Sequence, residues 1–146
     1  MKKLSPNAPC PCGSKTKYKK CCRPYHRGKK APDALTLMKT RYSAYAMGEA
    51  DYIIQTTHPE HPDFTSDRER WRREILAFSH GTEFKGLEIL ASRTDGARAV
   101  VHFIARLDSG DMQECSHFLL EEGRWLYHRA LSDAECGSSG LSAGFK

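Results

Sequence analysis

Four of the chain's six cysteines, Cys10, Cys12, Cys21 and Cys22, fall within its first 22 residues. Their spacing is C-x-C, then eight residues, then C-C. Zinc takes four soft ligands at tetrahedral corners, and two close thiol pairs joined by a turn can supply them. Gly13 and Ser14 permit the chain to reverse after the first pair, and Pro11 stiffens the arm between its two ligands. A structural zinc site is worth about 10–16 kcal/mol of apparent binding energy, enough to fold a segment with almost no apolar core of its own. Disulfides are a poorer reading: bridging Cys10 to Cys12, or Cys21 to Cys22, closes strained loops, and cross-pairing calls for an oxidising compartment. A redox pair would more usually be C-x-x-C within a strand–helix unit. The expectation is one structural zinc per chain, with Cys10, Cys12, Cys21 and Cys22 as ligands. His26 is near enough to stand in for Cys22, and that choice is open. Four cysteine ligands leave no open coordination position, which argues against zinc catalysis.

Charge divides the chain at the same place. Residues 1–30 hold ten Lys or Arg and no Asp or Glu, a charge of +10. The other 116 residues hold 13 basic and 18 acidic side chains, a charge of −5. A concentrated basic arm seeks phosphate, anionic lipid or an acidic protein face. Tyr18 and Tyr25 lie among the lysines and can stack on bases, so nucleic acid is one conceivable partner. The plainer reading is a solvated module whose lysines offset thiolate charge. No apolar stretch approaches the roughly 20 residues of a membrane span, and Ser5-Pro6-Asn7 stands where a signal peptide would turn apolar. Cys115, in an alternating segment, reads as a small buried side chain, and Cys136, in a Gly-Ser tail, as a free thiol. A reducing cytoplasm is therefore the expected compartment.

The chain divides into a basic zinc module with its linker over 1–30, an α+β domain over 31–131, and a flexible tail over 132–146. In the middle part, Leu35, Met38, Tyr42 and Tyr45 repeat at helical spacing between Asp33 and Gly48. A short helix from Ala50 to Thr57 stops at His58-Pro59. Ser66-Asp67-Arg68-Glu69 reads as a capping box with Ser66 as the cap, opening a third helix through Trp71, Ile75 and Phe78 to Gly81. The period then changes from about 3.6 to 2. Strands are expected over 84–93, 98–107, 112–121 and 124–130, joined by tight turns, the last of them Glu122-Gly123. Three helices followed by a four-stranded antiparallel meander predict helices packed on one face of a single sheet.

The cysteine spacing, with its Gly-Ser and lysine-rich linker, resembles the SEC-C motif, a zinc-binding module also found in the tail of the SecA translocation ATPase. There it contacts the SecB chaperone. The resemblance therefore implies a protein-docking role, with a chaperone or translocation-type partner by analogy. Downstream, Leu37 through Ala46, Asp51-Tyr52-Ile53-Ile54, Thr57-His58-Pro59, Thr82 through Leu87, Phe103-Ile104-Ala105-Arg106, and Glu114 through Phe118 leading to Gly123-Arg124-Trp125-Leu126-Tyr127 are similar to the YchJ-like family. That likeness implies a nuclear-transport-factor-2-like fold, a curved sheet wrapping helices around a conical pocket, in a family whose biochemical function is not established. The chain departs from its relatives at Thr57 and Phe84, where they often carry Trp. It also shows no second SEC-C motif of the kind that ends many of them.

Candidate groups for the pocket are Arg41, Tyr42, Tyr45, His58, His102, His117, Trp125 and Tyr127. Arg41 is the sharpest, because a charge on the inward side of the first helix needs either an anionic ligand or an internal carboxylate such as Glu114. His102 and His117 lie on the sheet and can face one another, as a metal-binding or acid–base pair or as satisfied sheet residues. His58-Pro59-Glu60-His61 invites a second metal site, but its prolines prevent the helical register that would converge the two rings. No nucleophile–base motif, phosphate loop or paired acidic motif is visible, so catalysis is not expected. Two functions stand: an adaptor that docks a protein through the zinc module, and, as the alternative, a small-molecule-binding protein or enzyme using the cone pocket.

Overall fold

The computed structural model describes residues 5–137. Its N-terminal module is held by very little regular structure. A bridge between Pro9 and Lys17 and a hydrogen bond from the Cys10 amide to the Thr16 carbonyl (2.9 Å) pinch a small hairpin whose reversal runs through Gly13 at φ 87°. A 3-10 turn, Tyr18–Lys20, and helix α1, Arg23–His26, follow. Helix α2, Ala34–Met47, starts where the Asp33 side chain accepts from the Thr36 amide (2.7 Å) and ends at Gly48 in the left-handed conformation, φ 73°. Both ends thus fall where the capping chemistry places them.

Helix α3, Ala50–Gln55, stops two residues short of the expected end. The next three residues leave the helix to lie along the sheet: the Tyr127 amide donates to the Thr56 carbonyl and the His58 amide to the Tyr127 carbonyl, each at 2.8 Å. Helix α4, Arg68–Gly81, is capped by Asp67, whose carboxylate accepts from the Arg70 amide (3.1 Å). Ser66 is therefore one residue too early to be the cap. A carboxylate at this position also favours the positive end of the helix dipole.

Strands β1 (Phe84–Asp95), β2 (Arg98–Leu107), β3 (Gly110–Glu121) and β4 (Arg124–Ala130) form an antiparallel sheet in sequence order. Register shifts at Phe84/Gly86, Ile89/Ala91 and His117/Phe118 bend it. Strand parity sets its two faces. Ala99, Val101, Phe103, Ala105 and Leu107 of β2, with Phe118 of β3 and Trp125 of β4, join Leu37, Met38, Tyr42, Trp71 and Ile75 in one core on the concave side. The fold is α+β, as the order of periods predicts.

Helix α2 is buried well beyond the single stripe read from its spacing. Leu37, Thr40, Ser43 and Ala44 are at most 1% exposed, although they lie off the Met38–Tyr42–Tyr45 face. The cysteine module and α3 cover that second side. The His26 Nε2–H donates to the Thr40 carbonyl (2.8 Å), and the His26 ring packs at a tilt against Tyr52, centroids 4.8 Å apart.

The C-terminal reading needs correction. Cys136 is not a free thiol: it is disulfide-bonded to Cys115 and only 2% exposed. It belongs to a short helix α5, Asp133–Cys136, capped by a reciprocal Ser132–Glu135 box. The bond sits on the convex face with Val100, Ala91 and Leu131. Chain beyond Ser132 is thus ordered through this turn, and residues 138–146 of the expected tail lie outside the described residues. The inference of a reducing compartment loses the support it drew from Cys136. Among the described residues, no helix is long and apolar enough to cross a membrane.

Candidate metal centre and cone cavity

The hairpin and the 3-10 turn bring Cys10, Cys12, Cys21 and Cys22 together, with one sulfur from each within 4.8 Å of all the others. Cys12 and Cys21 sulfurs are 3.6 Å apart. Sulfurs at the corners of a zinc tetrahedron with bonds near 2.3 Å stand about 3.8 Å apart, so the donor set fits such an ion. Cys10, Cys12 and Cys22 are buried and Cys21 half-buried. In such a cluster, hydrogen bonds from Cys10 and then Cys22 hold the Cys12 thiol low, while its bond to Cys12 pushes Cys10 up to about 12. Cys10, Cys12 and Cys22 together resist carrying more than one negative charge, and a divalent cation removes that conflict. The Ser14 hydroxyl lies 3.0 Å from the Cys21 sulfur, and the Cys22 sulfur 3.9 Å from the Lys39 carbonyl, which ties the cluster to α2.

His26 is not in this donor set. With its Nε2–H given to Thr40, its Nδ1 accepts from the Tyr18 hydroxyl (2.7 Å). Burial pushes its pKa down and keeps the ring neutral. His26 fastens the module to α2, and Cys22 keeps its place in the cluster.

Between α2, α4 and the concave face of the sheet lies a cavity of about 400 Å³. Of the eight residues expected there, Arg41, Tyr42, Tyr45 and Tyr127 line it, while His58, His102, His117 and Trp125 do not. Trp125 faces the concave core but borders a separate cleft beside Tyr25, Lys29, Lys30 and Arg124. His102 and His117 fail by parity. Val101 and Phe103 point inward, so His102 points outward, where Gln113 Nε2 donates to its ring (2.8 Å). His117, flanked by the inward Ser116 and Phe118, also points outward and pairs with His128 rather than with His102. That parity was readable from the strand pattern. His58 is carried to the outer edge of β4, where its Nε2 meets the Glu121 carboxylate at 2.6 Å.

Arg41 is 7% exposed, yet neither an ion pair nor Glu114 satisfies it directly. Its Nη1 donates to the Ile53 carbonyl (3.0 Å), Thr56 Oγ1 (2.7 Å) and Thr57 Oγ1 (3.1 Å), and its guanidinium lies 4.8 Å over the Tyr127 ring. The carboxylate expected beside it stands one residue further on. Tyr127 and Ser116 hydroxyls both donate to Glu114 Oε2, at 2.7 and 2.5 Å. Burial, then the Glu114 charge, holds the Tyr127 phenol protonated far above its ordinary range. Glu114 lines the cavity, as do Asp63 and Glu74 at positions the sequence reading passed over. Around them stand aromatic side chains, including Trp71, Phe84 and Phe103.

Residues 33–130 match the model of the YchJ middle NTF2-like domain, about two thirds of the chain. The chain belongs to the YchJ family. Residues 7–24 of this YchJ-family protein match the SEC-C motif. A UPF0225 protein of Xanthomonas campestris pv. campestris is 38% identical over 135 residues, covering 87% of this chain and 97% of that protein. A UPF0225 protein of Xanthomonas oryzae pv. oryzae is 40% identical over 130 residues, covering 84% and 93%. Among solved structures, a SEC-C motif containing protein from Rhodopseudomonas palustris aligns with a TM-score of 0.70 at 34% identity, over 84% of this chain and 97% of its own. Another from Psychrobacter arcticus gives 0.67 at 26%, over 84% and 80%.

Proposed function

We propose that this YchJ-family protein binds a small organic cation in its cone, while a structural zinc ion in the tetrathiolate cluster holds the N-terminal module. The observation that carries the reading is Glu114. Oε2 is fixed by two hydroxyl donors, while Oε1 has no partner among the described residues, in a cavity walled by aromatic rings. Glu114 and Asp63 line the cavity together with Glu74, which is paired with Arg70 at 3.8 Å. The one guanidinium in the lining, that of Arg41, is already engaged by a carbonyl and two hydroxyls. A cation over aromatic faces, with a carboxylate at hand, gains about 2 kcal/mol or more when desolvated. Tyr127, held protonated, is a hydrogen-bond donor rather than a base, which favours retention of a ligand over proton abstraction.

Choline and its uncharged isostere 3,3-dimethylbutanol test this, with binding followed by the fluorescence of Trp71 in the cavity wall. Choline should bind at least tenfold more tightly, and Glu114→Gln should erase the preference while leaving the fold intact. Equal affinity for both would remove the cationic ligand but keep the pocket. Failure of both to bind, with no small molecule retained in native mass spectrometry, would remove the pocket reading.

One observation favours a second reading, docking of an acidic protein face through the module. Lys15, Lys17, Lys19 and Lys20 are all exposed around the cysteine cluster. They supply the charge such a contact requires.

A further inference from the structure

We propose that the protein holds a second divalent cation, at the outer edge of β4, on His58, Glu60 and His128. One ligand atom from each of these residues lies within 4.8 Å of the others. The fold places all three. Backbone bonds between 56–58 and Tyr127 lay the loop after α3 along the open edge of β4. His128 is the extra residue of a bulge: His117 pairs with Arg129 and Phe118 with Tyr127, leaving His128 no partner across the ladder. Bulges re-aim side chains in this way. The His58 and His128 rings stand 5.1 Å apart, edge to face, and Glu60 Oε1 lies 2.7 Å from His128 Nε2.

The surrounding groups suit a bound cation. His128 Nδ1 lies 2.8 Å from His117 Nδ1, so with a metal at Nε2 the remaining proton is donated to His117, which orients the ring. His58 needs one rearrangement. Its Nδ1 accepts from the Glu60 amide (3.0 Å), so its proton is on Nε2, facing Glu121. A cation at Nε2 displaces that proton, the ring takes the other tautomer, and the Glu60 amide contact breaks. Glu121, with its side chain half exposed, is then released to become a fourth ligand. Two carboxylates balance a divalent charge, and two imidazoles favour zinc, nickel or cobalt over magnesium or calcium. The expectation of one metal per chain counted cysteine motifs, and the prolines around His58 and His61 separately argued against convergence of those two rings. They do not: His61 turns to Tyr127 on the cavity side, and the second imidazole comes from β4, seventy residues away.

Full-length protein whose cysteine cluster has been filled with one equivalent of zinc should take up one further equivalent of cobalt by calorimetry. That cobalt should show no thiolate charge-transfer absorption. His128→Ala and Glu60→Gln should lose the second equivalent while retaining the first and the circular dichroism of the wild type. His117→Phe should weaken it by about 10–100-fold, as loss of an orienting partner does. A stoichiometry that stays at one, or a second equivalent unchanged in His128→Ala, would overturn the proposal.

Discussion

His102 shows how a residue placed on the wrong side of a sheet still carries a consequence. It is 3% exposed on the convex face of β2, and burial pushes its pKa below the ordinary 6.5. The folded protein therefore keeps the ring neutral at pH values where the unfolded chain has already taken up a proton. Between those two pKa values the unfolded state binds more protons, so stability is present above the window and falls as pH descends through it. Melting temperatures should decline from about pH 6.5 downward, and His102→Gln should flatten that decline; an unchanged slope in the variant would discard this attribution. Of the eight pocket candidates, the four that line the cavity sit on faces declared by neighbouring large apolar residues. His58 failed for a different reason from His102 and His117. Its direction is set by pairing with Tyr127, a contact between distant residues that no local periodicity announces. Glu114 was visible only as a possible counter-charge, because its role depends on hydroxyls from Ser116 and Tyr127 arriving at the same oxygen.

At the level of elements, the four strands and the caps of α2 were legible because turn glycines, side-chain caps and the change of period are local signals. The cap of α4 was read one residue early, and β1 and β3 each run two residues further than expected. Helix α2 was read too narrowly. A helix buried on two sides has no single stripe, and its second cover is the cysteine module, which offers almost no apolar periodicity of its own. Helix α5 was missed for want of length: four residues held by a Ser132–Glu135 box and an Arg129–Glu135 pair at 2.8 Å make no pattern long enough to register. What secures it is the bond from Cys136 to Cys115, 21 residues apart. Closing a loop of that size is worth about 3 kcal/mol through the unfolded state. Cys136→Ser should lower the urea midpoint to that of reduced wild type, with no further loss on adding reductant. Alkylation of both thiols in denatured, unreduced protein would show that the bond does not form.

For the whole molecule, the cysteine cluster packs with Tyr18 and Met47 and shares no member with the larger core of the cone. They are two apolar clusters that meet through His26, Thr40 and Lys39. Stripping the metal should therefore release residues 7–26 to hydrogen exchange and open Cys10, Cys12, Cys21 and Cys22 to alkylation. The near-ultraviolet dichroism of Trp71 and Trp125 should persist. Loss of that signal together with the metal would mean that the cone cannot stand without its module. Cysteine spacing and charge both change near residue 30, and the SEC-C match over 7–24 and the NTF2-like match over 33–130 lie on either side of that point.

The cone wall has a further consequence for the order in which the chain is made. All four cysteines of the cluster have emerged from the ribosome once Cys22 is out, so this part can come together while most of the protein is still unwritten. The cavity cannot close until Tyr127 arrives to seat against Arg41, Glu114 and the Thr56–His58 segment. Until then, the part of α2 that packs on β4 waits uncovered. A pause or truncation before β4 would leave a completed cysteine module on a half-built cone exposed to aggregation or to chaperones.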